Sequence, residues 1–498
     1  YPFHQKKFDA FFNLKINEDI LKKTSNLELK HFESSETYDM ISRAQNQGDG
    51  RLLSFYELPL DIISSSITLL SYLTIIFIYN PIIVLFIIVS PIIKYVINRL
   101  VGIEIFNQIR KWTNDNRKCS YIQYLLMNGN TYKELKLNNL FNYFIDKFSF
   151  YQRNFNHQNI KIQKKNIILM SVVEFLEVII DGFVFFIIVM DAYLGKILIG
   201  NVLTYINSIT QIKHLMNTVL KSLSDMKKES LFISQLIEFL AIPEIDEKNM
   251  QSIESIKSIE IYNLYYKYSN DQDYVLKNIN LNIKIGDKIA IVGQNGSGKT
   301  TLIKIIMGFY NDYEGDIYIN GINLRNISKS SLQNKIGSIF QDFIKYEATF
   351  RENISYGNLN LIDNDSKLIN ISKSFELDTL IKNSEGNLDC QIGYLFDNGK
   401  QISIGQWQKL ALSRAFAKNA DLYIMDEPNS ALDAIFENKL SILYSKLIKE
   451  KIGIIVTHRF NNFVNIVDNI IVLSNGEIVG SGNHKDLSCN NSVYKNLY

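Results

Sequence analysis

The chain alternates between long stretches without charge and stretches where charged and apolar positions mix. From Ile62 to Ile93 there is no charged side chain, and Asp61 and Lys94 flank the run. A bilayer is crossed by about 20 apolar residues as a helix, so this run is too long for one span. Asn80-Pro81 in its middle is a turn signal. The pattern predicts a helical hairpin over residues 58–79 and 81–100. Two further apolar runs, 166–190 and 197–215, form a second hairpin around Asp191–Lys196, with Asn201 and Asn207 interrupting the last run. The segment between the hairpins, 101–165, returns to a polar, helical composition rich in Lys and Arg, which places it on the cytoplasmic side. Residues 1–57 read as a cytoplasmic helical segment. Four spans then leave both ends of the chain in the cytosol. The competing reading, a helical core inside a soluble protein, requires it to bury charge-free runs of unusual length.

The periodicity changes after residue 240. Residues 213–239 are amphipathic and helical, Pro243 breaks them, and the polar run 241–258 reads as a linker. From 259 to 498, β-rich segments alternate with helical ones, as in an α/β domain. The expected architecture is therefore multidomain, an all-α transmembrane domain (58–240) followed by an α/β domain.

Within the α/β part, Lys288-Ile289-Ala290-Ile291-Val292 precedes Gly293-Gln294-Asn295-Gly296-Ser297-Gly298-Lys299-Thr300-Thr301, and an apolar helical run follows. Strand, glycine loop and helix form the setting of a phosphate-binding P-loop. Glycines let successive backbone N–H groups turn toward a phosphate, and the helix presents its positive end to the same anion. Lys299 would neutralise the β- and γ-phosphates of ATP, and Thr300 would ligate Mg²⁺. A second apolar strand, 421–425, ends in Asp426-Glu427. Asp426 is expected in the Mg²⁺ shell and Glu427 is expected to polarise the attacking water. His458, after the strand 452–456, and Gln341, after 337–340, stand at further strand ends; Gln341 can also reach Mg²⁺.

The segment Ser403-Ile404-Gly405-Gln406-Trp407-Gln408-Lys409, with Ser430-Ala431-Leu432-Asp433 after Glu427, resembles ATP-binding cassette (ABC) transporters. That resemblance implies two cassettes sandwiching two ATP molecules, with Ser403, Gly405 and Gln406 facing the nucleotide held by the partner's P-loop. It also implies adenine stacking on Tyr268, a switch role for His458 and a coupling role for Gln341. Ile404 departs from the family, where a small Gly is usual. A β-branched residue there disfavours positive φ and adds bulk near phosphate. The segment 32–39 looks like the first cytoplasmic loop of type-IV exporters, and 195–200 like the approach to their sixth helix. Within the class the chain is most similar to lantibiotic exporters of the epidermin, gallidermin and nisin type. The resemblance implies a homodimer in the cell membrane that exports a ribosomally made peptide, with the cassette in the cytoplasm. Its partners would be membrane lipid and lantibiotic modification enzymes.

Composition narrows the alternatives. Among 498 residues, 53 Lys and Arg balance 51 Asp and Glu, so no global field argues for nucleic acid. Three scattered cysteines, Cys119, Cys390 and Cys489, match neither a disulfide framework nor a zinc site. Glu174, Glu177 and Asp181 recur at i, i+3 and i+7 on one face of the third apolar run, where they are expected to line a cavity or pair with bases. The chain begins at Tyr1 without Met, and family exporters carry six helices per half. Two more N-terminal spans are therefore expected, and the four-span chain is not expected to export by itself. Alternatives are an exporter of lipid or hydrophobic drug, a remnant that binds ATP without transporting, and a soluble cassette acting on ribosomes or DNA.

Overall fold

The computed structural model describes residues 2–34, 37, 40–41, 51–245, 247, 249–269, 273–384, 387–428, 432–457, 463–464 and 466–497. The chain forms two units: Tyr1–Leu27 with His31–Glu244, and Glu28–Lys30 with Ile245–Tyr498. Most of the 32–39 segment, which carries the exporter-loop resemblance, lies outside the described residues.

The N-terminal unit is helical: α1 (Pro2–Ser25), α2 (Arg51–Tyr79), α3 (Pro81–Met127), α4 (Gly129–Leu137), α5 (Leu140–Tyr193) and α6 (Ile199–Leu240). The turn between α2 and α3 follows from two residues. Asn80 takes an extended conformation and its side chain accepts the N–H of Ile82 at 3.0 Å, and Pro81 opens the helix where no N–H is needed. The helices overrun the expected spans. The expected loop 101–165 is mostly a continuation of α3 and α5, interrupted only around α4. Helix α6 packs along α2 and α3, and α5 packs along α3. Their shared core is Ile76, Ile83, Ile87, Val184, Ile188, Ile209 and Ile212. At one end of that core Tyr79 stacks on Tyr205 at 4.3 Å and donates its hydroxyl to Asp191 at 3.0 Å.

Phe55–Tyr79 and Pro81–Trp112 are long and apolar enough to cross a membrane, and only 6% and 22% of their most apolar 18-residue stretches are buried. A core helix of a soluble protein would be mostly buried. Here Ile63, Ile67, Leu70, Phe77 and Ile78 leave more than half of their surface exposed along one side of α2. That is an apolar face of the kind that meets lipid or another apolar surface. The segments 166–190 and 197–215 are also helical, but length and composition alone do not mark them as spans. The acids of α5 explain part of this. Glu177 is bound by Lys94 at 2.5 Å and approached by Lys213 at 3.5 Å, and Lys213 also pairs with Asp181. Two of the three acids are thus neutralised by lysines from α3 and α6. Glu174 is exposed, with no ion pair among the described residues. Glu177 and Asp181 do line a cavity, of about 360 Å³, but Lys213 lines it with them, so the fold builds a lysine-clamped lining rather than a purely acidic one.

The C-terminal unit contains two sheets. One is antiparallel, in the order β2 (Leu276–Lys284), β1 (Ser258–Tyr266), β4 (Glu314–Ile319), β5 (Ile322–Asn323). The other has the order β10 (Glu477–Gly482), β9 (Asn469–Ser474), β3 (Lys288–Val292), β8 (Ile452–Val456), β7 (Leu422–Asp426), β6 (Ile336–Ile339). From β9 to β6 all pairings are parallel. These strands read as continuous apolar runs because both faces are covered. The P-loop helix α7 (Lys299–Ile306) packs in the core between the sheets with Leu302 and Ile306. A second core, around Phe350, Phe375, Trp407, Leu410 and Phe436, joins α8 (Phe350–Ser355), α9 (Asp365–Ser374), α10 (Ile404–Ala417) and α11 (Ala434–Leu447). Part of the expected linker 241–258 belongs to this unit, since Ile253 and Ile256 are buried in its core. Residues 28–30 also belong here rather than with the rest of segment 1–57. Glu28 accepts from Asn311 at 3.1 Å, and Lys30 pairs with Asp312 at 3.2 Å.

Candidate nucleotide site

Four adjacent parallel strands, β3, β8, β7 and β6, deliver their C-terminal ends side by side, the place where α/β sheets bind ligands. At the end of β3 the glycines are required by geometry. A Cβ on Gly293 would stand 2.2 Å from the Leu473 carbonyl oxygen, and Gly298 has φ +100°. The loop turns back so tightly that Lys299 Nζ donates to the carbonyls of its own loop, Gly293 at 2.9 Å and Gln294 at 3.0 Å. Burial lowers the pKa of Lys299, and the carboxylates of Glu427 and Asp426 oppose that shift. The buried Ser297 Oγ has no hydrogen-bond partner among the described residues. A cradle with a buried ammonium, an orphaned hydroxyl and a helix N-terminus is suited to an anion. Gln294, Asn295 and Gly296 form its exposed rim.

Thr300, at the first turn of α7, donates its hydroxyl to Asp426 Oδ2 at 3.1 Å. Asp426 ends the fully buried strand β7, and burial raises its pKa to about 6; the bond from Thr300 works against that shift. A hydroxyl and a carboxylate converging beside the cradle are hard oxygen donors of the kind Mg²⁺ takes, with few protein ligands and the rest from water and phosphate. Asp342, next to the exposed Gln341, lies near enough to Asp426 to disfavour its charge. Glu427 is buried and held at φ +51°, its N–H donating to Val456 at 2.8 Å. A left-handed glutamate is strained, and such strain clusters at functional positions.

Tyr268 leaves 45% of its surface exposed, while its hydroxyl sits 2.8 Å from Thr301 Oγ1. Tyr266 and Tyr310 meet it edge-on at 5.2 and 5.8 Å. The ring is fixed beside α7, with surface free to stack on a base. Ser403 caps α10 through a reciprocal pair: its hydroxyl accepts the Gln406 N–H, and Gln406 Oε1 accepts the Ser403 N–H at 2.8 Å. Ile404 is the first residue of that helix, half exposed, and is not among the residues with positive φ. The expected backbone conflict is therefore absent. His458 and the residues 429–431, Ser430 and Ala431 among them, lie outside the described residues.

Three contacts were not foreseen from sequence. Buried Gln408 donates to the Pro428 carbonyl at 2.8 Å, tying α10 to the segment after Glu427. Arg414 lies 4.4 Å over the Tyr346 ring and donates to Asn353, linking α10 to the segment after Gln341. Asp342 is the third. All join residues far apart in sequence, and no local spacing encodes them.

Comparison with known proteins agrees with this geometry. A family profile described as ABC transporter matches residues 276–430. The chain is 36% identical over 500 aligned residues to the subtilin transport ATP-binding protein of Bacillus subtilis, covering 99% of this chain and 81% of that protein. It is 34% identical to the nisin transport ATP-binding protein of Lactococcus lactis subsp. lactis, covering 99% and 82%. A bacterial Atm1-family ABC exporter with ATP bound has the same fold, with TM-score 0.84 at 18% identity, covering 99% of this chain and 85% of that one. This chain belongs to the ABC transporter family and is an ATP-hydrolysing transporter.

Proposed function

We propose that the protein is a membrane exporter that uses ATP, as a homodimer, to move a ribosomally made, lantibiotic-like peptide out of the cell. The observation that carries this reading is where the similarity lies. The ATP-dependent lipid A-core flippase of Methylobacillus flagellatus is 33% identical over 258 residues, 52% of this chain. A putative multidrug exporter of Staphylococcus aureus matches over 48%. Similarity to the subtilin and nisin transporters runs through 99% of the chain, so it includes the helical half. A cassette reads ATP, whereas cargo is met by membrane helices, so only the second kind of similarity bears on cargo.

In this reading Lys299 and the 293–298 backbone hold the ATP phosphates, and Tyr268 stacks on adenine. Thr300 and Asp426, with Gln341, hold Mg²⁺, which when bound neutralises phosphate charge and favours in-line attack. Glu427, rigid at a strand end, orients the attacking water, and His458 stands by the γ-phosphate. Ser403, Gly405 and Gln406 of a second copy close over the nucleotide.

Turnover in phosphatidylglycerol-containing vesicles tests cargo and chemistry together. A cationic, leader-bearing lantibiotic precursor should stimulate ATP hydrolysis, and Glu427→Gln should cut turnover by on the order of 10²- to 10⁴-fold while retaining ATP binding. Stimulation by lipid A or a hydrophobic drug but not by peptide would reassign the cargo. Undiminished turnover in Glu427→Gln would remove Glu427 from its role.

A further inference from the structure

Between α3, α5 and α6 lies a cavity of about 220 Å³ that the reading above does not use. Its lining includes Arg99, Lys221 and Lys227 against a single carboxylate among the described residues, Asp225. None of the three cations forms an ion pair among the described residues, and the nearest other acid on α3, Glu104, is taken by Lys165 at 3.1 Å. Asn166, also in the lining, keeps a buried side-chain oxygen without a partner among the described residues. Three cations sharing one concavity repel each other, and a single acid leaves the site with a net positive charge. An anion bound there would offset that charge.

The helical rise locates the cavity. At 1.5 Å per residue, Arg99 stands roughly 27 Å along α3 from Pro81, and Lys221 roughly 33 Å along α6 from Ile199. Asn166 stands about 40 Å back along α5 from Tyr193 by the same measure. The hydrocarbon core is about 30 Å thick, so the three helices bring these groups to its inner boundary and just beyond. The basic segment 101–165 marks that side as cytoplasmic. Anionic headgroups concentrate there, and basic pockets between membrane helices on that side bind them.

We propose that this cavity binds the phosphate of an anionic lipid headgroup from the inner leaflet. Arg99, Lys221 and Lys227 take the phosphate oxygens, and the acyl chains lie along the exposed apolar sides of the helices. Lipid and soluble phosphate share the same recognition chemistry, so the test separates them. The full chain, purified in neutral detergent, is titrated with phosphatidylglycerol, with phosphatidylcholine, and with glycerol 3-phosphate, and retained lipid is counted by native mass spectrometry. Phosphatidylglycerol should be retained in preference to phosphatidylcholine, and glycerol 3-phosphate at the same concentration should not displace it. The triple variant Arg99→Gln, Lys221→Gln, Lys227→Gln should weaken phosphatidylglycerol retention roughly a hundredfold. Gly102 supplies a variant that keeps every charge. It lines the cavity, and a Cβ there meets nothing within 4 Å, so Gly102→Phe should fill the space and also abolish the preference. Equal retention of both lipids, or an undiminished preference in the two variants, would overturn the lipid site. Displacement by glycerol 3-phosphate would assign the cavity to soluble phosphate instead.

Discussion

Ile404 shows how a residue that breaks a family pattern is judged differently once its backbone is known. Read against a loop, it threatened a left-handed position; in the fold it opens α10 with helical geometry, half exposed, under the cap of Ser403. Glycine there would only loosen the first turn, at a cost of roughly 0.5 kcal/mol or less in helix propensity. Ile404→Gly is therefore expected to leave steady-state ATP turnover unchanged or lower, and a clear rise would restore the crowding explanation. Lys329 gives a residue-scale prediction of another kind. It is 3% exposed, its ammonium donates to Asn311 Oδ1 at 2.6 Å, and burial pushes its pKa down to about 8 against the pull of Glu28 and Glu247. The unfolded chain holds this proton up to its ordinary pKa of 10.5. The folded state thus carries the full penalty below pH 8 and sheds it as pH rises toward 10.5. Stability against urea should climb between pH 8 and 9.5 by at most about 1.4 kcal/mol per unit. Lys329→Met should flatten this part of the profile, and parallel profiles for the two proteins would show the proton lies elsewhere.

At the scale of elements, local signals were legible and pairings between distant ones were not. Asn80-Pro81 announced the turn between α2 and α3, and the glycine spacing announced the P-loop, because each acts within a few residues. The same holds for Asp426 and Glu427, placed by their apolar strand. The i, i+3, i+7 spacing announces that the α5 acids need bases or water, and Glu177 and Asp181 find lysines. Their lysines, Lys94 and Lys213, come from helices 83 and 32 positions away in sequence, beyond any periodicity. The two outcomes predict different mutant behaviour. Glu177 has 14% of its side chain exposed and faces both lysines, so Glu177→Gln leaves Lys94 without a carboxylate at a partly buried site, while Lys213 keeps Asp181. Breaking such a pair costs on the order of 3–5 kcal/mol when fully buried, and somewhat less here. Glu174→Gln, at an exposed position, should cost nothing measurable. Thermal unfolding in detergent compares them, and equal melting temperatures would mean that the clamp carries no stability.

At the scale of the whole molecule, the proposed ATP sandwich calls for two copies of the cassette. Helix α10 packs against β6, and β6 is three strand positions from β3 in the sheet. With strands about 4.8 Å apart, β6, against which the Ser403-capped helix packs, lies roughly 14 Å from β3, which separates the capping helix from its own copy's P-loop strand. A two-fold arrangement solves this, because each copy's Ser403 can then face the other's Lys299. A site shared in this way is composite, and composite sites complement. Lys299→Ala spoils the P-loop half, Ser403→Arg spoils the capping half, and a homodimer of either variant has both sites broken. A mixed dimer concentrates all the damage in one site and leaves the other intact. Co-reconstituting the variants at equal ratio should therefore recover about a quarter of normal turnover if copies pair at random and sites act independently. Separately reconstituted variants, pooled afterwards as vesicles, should recover none. A co-reconstituted mixture no more active than its parents would mean that the two halves of the site come from one chain.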